Sequence, residues 1–267
     1  MGNYKILSII AYDRSGTTFL GKLINQFENA FFMGEIDRGL AQFEKIKFKK
    51  CSCGSKIKDC DLWGKITLDS NFLKNKNKQI LIYDRIVENI EAELLIDSSK
   101  SFSQIKYAGS INNREQFLIH LIRNPKGVIY SRMKNRKKRI TDKSHPKPYI
   151  ARHTNLLLIY DSFEWCLENL WMEKFKKKKK NVLTVFYEDL ETEYEKKVIP
   201  FLLKAGLINR EKKIPTSHIL FGNQNRYNSN QLTIRIDNQW QEGLTIFQKR
   251  MVDIITFPVR KIYRYKF

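Results

Sequence analysis

Short apolar runs alternate along this chain with longer stretches whose apolar residues recur at three- and four-residue intervals, and that alternation predicts its elements. Tyr4–Ala11, Leu94–Asp97, Phe117–Arg123 and Val182–Tyr187 read as strands, with a weaker one at Phe31–Gly34. Thr17–Glu28, Phe102–Ile111, Lys126–Lys137, Ala151–Lys178 and Glu193–Ala205 read as helices. Strand followed by helix, repeated, implies an α/β fold: a three-layer αβα arrangement with a central parallel sheet. No internal repeat, Pro- or Gly-rich linker or break in composition interrupts it, so residues 1–267 are expected to form a single domain. About 36–80 and 138–150 then stand as insertions or loops. In such sheets ligands bind beyond the carboxyl ends of the strands, so chemistry is sought in the residues that follow each one.

Charge changes the picture more than composition does. Hydrophobic residues at 42% supply a core, but 49 Lys and Arg against 28 Asp and Glu leave a formal net charge of +21. A field of that sign favours polyanionic partners and does not choose among nucleotides, acidic glycans, nucleic acid and anionic membrane. Two basic runs, Lys134–Arg139 and Lys174–Lys180, close predicted helices, where cations complement the carbonyl end of the helix dipole. No cleavable leader is evident and no apolar run is long enough to span a bilayer. Gly2 is not followed by Ser or Thr at position 6, so the myristoylation pattern fails. The expectation is a cytoplasmic protein, with peripheral membrane contact left open by the basic surface.

The first strand runs into Ala11-Tyr12-Asp13-Arg14-Ser15-Gly16-Thr17-Thr18 and then the apolar start of a helix. A strand, a tight turn and a helix N-terminus form an anion site from unpaired N–H groups and the helix dipole. Gly16 permits close backbone approach, and Ser15, Thr17 and Thr18 add hydroxyls. Compared with the Walker A pattern, Ala11 replaces the first Gly and Thr17 the Lys, while the cation sits at Arg14. Hydrolysis of a nucleoside triphosphate is therefore not expected. A second site follows Phe117–Ile122: Arg123 at the strand end, Pro125 suited to a first helical turn, and Ser131 nearly two turns in. Arg123 and Ser131 can converge on one phosphate. Two anion sites at two strand ends describe a donor phosphorylated at both ends of its ribose, whereas ATP would use only the first.

The stretch Arg14-Ser15-Gly16-Thr17-Thr18 resembles the 5'-phosphosulfate loop of sulfotransferases, and Arg123 with Ser131 eight residues later resembles their 3'-phosphate site. Val185–Leu190, containing Tyr187-Glu188-Asp189-Leu190, resembles a strand end common in the family. Gly222-Asn223 with Arg226, then Asp237 and Trp240, resembles the nucleotide-covering loop of the bacterial-type carbohydrate branch, and Cys51-Ser52-Cys53-Gly54 an element of the same branch. In chain order these cover Lys5 to about Leu244. The resemblance implies a P-loop NTPase-like sulfotransferase fold and 3'-phosphoadenosine-5'-phosphosulfate as donor, with adenosine 3',5'-bisphosphate as product. Arg14, Ser15, Gly16, Thr17, Thr18, Arg123, Ser131, Tyr187, Gly222, Asn223 and Arg226 are the expected donor contacts.

For chemistry, the resemblance implies Glu35 as general base, after Phe31–Gly34, with Arg14 and Lys100 as cations on the transferring group. A local ion pair between Glu35 and Arg38 is the competing reading of that carboxylate. A surface role is the competing reading of Lys100. His120 reads as a core residue, His145 and His153 flank a basic loop, and His218 precedes the Gly222 loop, where it could contact donor or acceptor. No metal is required, since cations and amides neutralise the donor. Cys51, Cys53 and Cys60 have no histidine nearby in sequence and so form an incomplete zinc set; free thiols, a zinc staple and a disulfide all stay open. The implied acceptor is a carbohydrate hydroxyl, the insertions lying on its side of the site, and protein tyrosine is the alternative. A nucleotide kinase or NTPase is a more distant reading. A nucleic-acid module rests on charge alone, and no specific nucleic acid is expected.

Overall fold

The computed structural model describes residues 4–66, 70–75, 78–99, 115–141, 153–208, 217–222 and 234–263. Five parallel strands form one sheet: β1 (Lys5–Ile10), β2 (Ala30–Gly34), β3 (Leu94–Asp97), β4 (Gln116–Ile122) and β5 (Val182–Phe186), in the order β2-β3-β1-β4-β5. The principal helices are α1 (Thr17–Ile24), α2 (Ile36–Ala41), α3 (Lys78–Val87), α4 (Pro125–Thr141), α5 (Thr154–Lys176), α6 (Ile199–Lys204) and α7 (Ile246–Ile262). All five predicted strands are present. The helix expected at Phe102–Ile111 lies outside the described residues.

Side chains alternate across the sheet, which is why its strands read as continuous apolar runs: both faces are covered. Leu7 and Ile9 of β1 face a core completed by Leu20 and Ile24 of α1 and Leu202 of α6. Ile6, Phe31 and Leu95 face the opposite way, onto Ile36 and Leu40 of α2, Ile82 of α3 and Trp63. At the other end of that second face, Ile122 meets Trp165 of α5 and Val259 of α7.

Several boundaries depart from expectation, each for a local reason. α1 stops at Ile24 because Gln26 and Phe27 close tighter turns on Leu23 and Ile24, and the Asn25 side chain turns back to accept from the Phe32 amide at 2.8 Å. The single helix expected over Glu193–Ala205 is broken: Tyr194–Val198 forms a π-turn before α6, where Pro200 has no N–H to offer. α7 was not foreseen. Its start carries a reciprocal cap, Thr245 and Gln248 each accepting from the other's amide at 3.2 Å. Its outward face keeps Ile246, Phe247, Ile254 and Phe257 exposed, and this blurs its periodicity. Among the described residues no helix is long and apolar enough to cross a membrane.

The basic runs serve the fold in part. Arg136 of α4 donates twice, at 2.6 Å, to the fully buried Asp161 of α5, and Arg132 reaches the same carboxylate at 3.2 Å. Lys134 donates to Gln239 at 2.6 Å. In the second run, Lys176 pairs with Glu173 and donates to Thr184 of β5 at 2.7 Å.

Candidate active site

Because every strand is parallel, all five carboxyl ends share one rim. Along it lie Glu35 after β2, Asp97 and Ser99 at β3, the turn 11–16 after β1, Arg123 after β4 and Tyr187 after β5. From β1 the chain passes toward β2 and from β4 toward β5, on opposite sides. The β1/β4 boundary is thus the topological switch point, the favoured place for a ligand in such sheets.

The turn after β1 is built around two residues of positive φ. Gly16, φ 97°, caps α1, and a Cβ there would sit 2.8 Å from the Tyr187 ring. Arg14 has φ 68° without being glycine. That conformation costs an L-residue about 1–2 kcal/mol. It is offset at its own carbonyl, which accepts from Arg123 Nη1 at 3.0 Å, a charge-assisted bond of about 1.5–3 kcal/mol. The Arg14 side chain then donates through Nε to Ser131 Oγ at 3.0 Å. Arg14 therefore bonds to both Arg123 and Ser131, joining the residues expected from sequence at the two strand ends.

Arg123 is 6% exposed and held on every side. Tyr187 lies under its guanidinium at 4.5 Å, and Asp237 accepts from Nη2 at 3.0 Å. A Cβ on Gly127 would come within 3.1 Å of its Nε, so the first turn of α4 has to be bare there. That turn is fixed by Asn124, whose side chain accepts from the Lys126 amide at 2.9 Å and whose own amide donates to Glu188 at 3.0 Å. The Tyr-Glu-Asp-Leu stretch thus supplies a cation-stacking ring and a helix-start anchor. Ser15 Oγ and Arg123 Nε are buried and have no hydrogen-bond partner among the described residues. A buried polar group left unpaired costs about 1–3 kcal/mol, and both groups belong to this one site. A phosphate-bearing ligand would satisfy them. Thr17 and Thr18 are buried in the first turn of α1, and Gly222 passes over Thr18, its Cβ direction 3.5 Å from the hydroxyl.

Glu35 sits two strands from this turn, 4% exposed. Its Oε2 accepts from Arg38 at 3.1 Å, so the ion pair considered from sequence is present. Its amide donates to Phe221 O at 2.9 Å, and Leu220 donates to Met33 O, so 219–222 runs beside β2. Gly34, φ 84°, permits this approach: a Cβ would lie 2.3 Å from Phe221 O. Between the two sites Asp97 accepts from Tyr83 Oη at 2.5 Å and from the Ser99 amide at 2.7 Å. Burial pushes its carboxyl up to about 6 against these stabilising bonds.

Lys100, Asn223 and Arg226 lie outside the described residues, as does His145. His120 is a core residue: it is fully buried, its Nε2 stands 3.3 Å from Asn169, and burial lowers its pKa to about 3. His218 faces neither the turn nor Glu35. It lies on the cysteines, Nδ1 3.1 Å from Cys60 Sγ, so the set that looked incomplete has a histidine beside it, 158 residues away in sequence. Sequence spacing held no signal for that contact.

A glycine turn between strand and helix, with hydroxyls and two arginines converging at the switch point, defines a phosphate-binding α/β protein. Within that class, a family model described as "Sulfotransferase domain" matches residues 5–202, and the chain belongs to that family. None of the curated proteins compared matches it. Among solved structures it is similar to mouse sulfotransferase SULT7A1 complexed with PAP: TM-score 0.54, 16% identity, 96% of this chain and 83% of that one. It is also similar to the sulfotransferase domain from the curacin biosynthetic pathway, with TM-score 0.53, 16% identity and 95% and 98% coverage. A third is the sulfotransferase domain of the Synechococcus PCC 7002 olefin synthase, with TM-score 0.51, 17% identity and 100% and 97% coverage. At these identities the likeness is one of fold: a parallel sheet of the P-loop-like sulfotransferase type.

Proposed function

We propose that this chain transfers a sulfuryl group from 3'-phosphoadenosine-5'-phosphosulfate to a hydroxyl of a carbohydrate acceptor, by in-line displacement with Glu35 as general base. The observation that carries the donor reading is that Arg14 bonds to both Arg123 and Ser131 at the switch point, with Ser15 Oγ and Arg123 Nε buried beside them and without a partner among the described residues. Family membership and the PAP-complexed mouse neighbour support the same donor.

In this reading the turn 14–18 holds the 5'-phosphate through backbone amides and hydroxyls, while Arg123 and Ser131 hold the 3'-phosphate. Arg14 neutralises charge that develops on the bridging oxygen. Glu35 takes the acceptor proton as the acceptor oxygen bonds to sulfur and the bond from sulfur to the 5'-phosphate oxygen breaks, releasing adenosine 3',5'-bisphosphate. Strand spacing puts Glu35 roughly 10 Å along the rim from the turn. Arg38 fixes the carboxylate through Oε2. Lys100 and Arg226 are further cations assigned to this site, and Asn223 and Tyr187 further donor contacts.

The carbohydrate assignment rests on the resemblance of Gly222-Asn223 and Cys51-Ser52-Cys53-Gly54 to the carbohydrate branch, and the net charge of +21 suits an acidic glycan without singling it out. The curacin-pathway and olefin synthase neighbours bring in a second class, a hydroxyl on a small biosynthetic intermediate. Labelled donor offered with an acidic polysaccharide, a tyrosine peptide and a small aliphatic alcohol separates these. Transfer to the polysaccharide is expected to dominate. Transfer chiefly to either other acceptor would replace the acceptor assignment while leaving the donor assignment standing.

A further inference from the structure

Away from the rim, four side chains converge that the proposed chemistry does not use. Cys60 Sγ lies 3.7 Å from Cys51 Sγ and 3.7 Å from Cys53 Sγ, and 3.1 Å from His218 Nδ1. All four donor atoms fall within 4.8 Å of one another. A tetrahedral zinc with bonds of about 2.3 Å to sulfur and 2.0–2.1 Å to nitrogen sets its ligands roughly 3.8 Å apart between sulfurs and roughly 3.5 Å between sulfur and nitrogen. The two sulfur-sulfur edges at Cys60 match that spacing, its edge to His218 is about 0.4 Å shorter, and the remaining edges are no longer than 4.8 Å. A disulfide would leave one of the three sulfurs over, and a plain core does not need Cys53, which is exposed.

The surroundings hold the donors in place. Gly54, φ 99°, closes the turn by donating to Cys51 O at 3.0 Å. His218 is fixed through its backbone: its carbonyl accepts from Trp63 Nε1 at 2.7 Å, and the next amide, of Ile219, donates to Ser52 Oγ at 2.7 Å. Outer hydrogen bonds that orient ligands in this way are a regular part of metal sites.

We propose that Cys51, Cys53, Cys60 and His218 bind one zinc ion in a closed, structural Cys3His site. The three thiols lose their protons to solvent on binding, and the imidazole binds neutral through Nδ1. With four protein ligands no position is left open for catalysis. The site's role follows from what it joins: it ties the 51–63 insertion to the start of 217–222, the segment that pairs with β2, accepts the Glu35 amide and passes over Thr18. The metal therefore braces the wall between the base and the donor turn.

The test uses the full chain purified without chelator. Elemental analysis should find about one zinc per chain, and replacement with Co2+ should give the visible bands of a tetrahedral thiolate site. Cys53 is exposed, so Cys53→Ser leaves the core intact and should weaken zinc binding on the order of 100-fold or more; His218→Ala should do the same, and Cys166→Ser should keep full metal. Addition of Zn2+ to stripped protein should raise its melting temperature. A chain that carries no zinc and shows neither a Co2+ spectrum nor a thermal shift would overturn the proposal. So would full zinc retention in both Cys53→Ser and His218→Ala.

Discussion

Glu35→Gln is expected to lower kcat by roughly 10²- to 10⁴-fold, the span usual for loss of a positioned general base. The affinity for adenosine 3',5'-bisphosphate should stay within about threefold, since no donor contact involves this side chain. Glutamine keeps the size of the buried side chain and an oxygen for Arg38 to donate to, so the fold should survive. The ion pair itself offers a rival account, in which Glu35 is merely half of a structural link between β2 and α2. Arg38→Ala separates the two. If the pair is only structural, Arg38→Ala, which removes the link altogether, should cost at least as much stability and activity as Glu35→Gln. If Glu35 is the base, Arg38→Ala should lose far less rate, because the arginine's side chain is about half exposed and its loss leaves the carboxylate in place. Single-turnover rates with labelled donor, with urea unfolding alongside, give both readouts. A Glu35→Gln enzyme near the wild-type rate would remove the base assignment.

The second large effect is expected at Arg123. Its truncation removes a charge-assisted contact to the 3'-phosphate, about 1.5–3 kcal/mol, so adenosine 3',5'-bisphosphate should bind roughly 10- to 150-fold more weakly. Arg123 also accounts for the tether on the strained Arg14 carbonyl, so some general loss at the turn should accompany this. The discriminating quantity is a ratio. Binding of 5'-AMP, which lacks the 3'-phosphate, should fall much less than binding of the bisphosphate. Titration calorimetry of both ligands on wild type and Arg123→Ala measures it. Equal losses for the two ligands would mean that Arg123 acts only by shaping the turn.

Much of this architecture was legible because parallel strands are buried on both faces. Leu7 and Ile6 point into different cores, so the run around them stays apolar and its ends are plain. The chemistry at the ends was legible for the same reason: Arg14, Arg123 and Tyr187 stand where apolar runs stop. What pattern could not give was contact between distant segments. Nothing local relates Arg14 to Ser131, or Asp237 to Arg123, and these depend on strand order. His218 and the cysteines show the same limit, with a 158-residue separation between donors. α7 was hidden by its outward Ile246, Phe247, Ile254 and Phe257, although the Thr245–Gln248 cap was a readable start signal. The break at Tyr194–Val198 was readable too, from Pro200, and the amphipathic pattern across it masked the interruption.

The donor pocket is the claim from which the rest follows, and thermal shift with three nucleotides measures it most directly. At a concentration about 100 times its Kd, a ligand of the folded state adds about 2.7 kcal/mol of stability. Adenosine 3',5'-bisphosphate should therefore raise the melting temperature well above the values reached with equal concentrations of 5'-AMP or ATP, and magnesium should make no difference. Equal shifts for the bisphosphate and 5'-AMP, or a larger shift with magnesium-ATP, would contradict it.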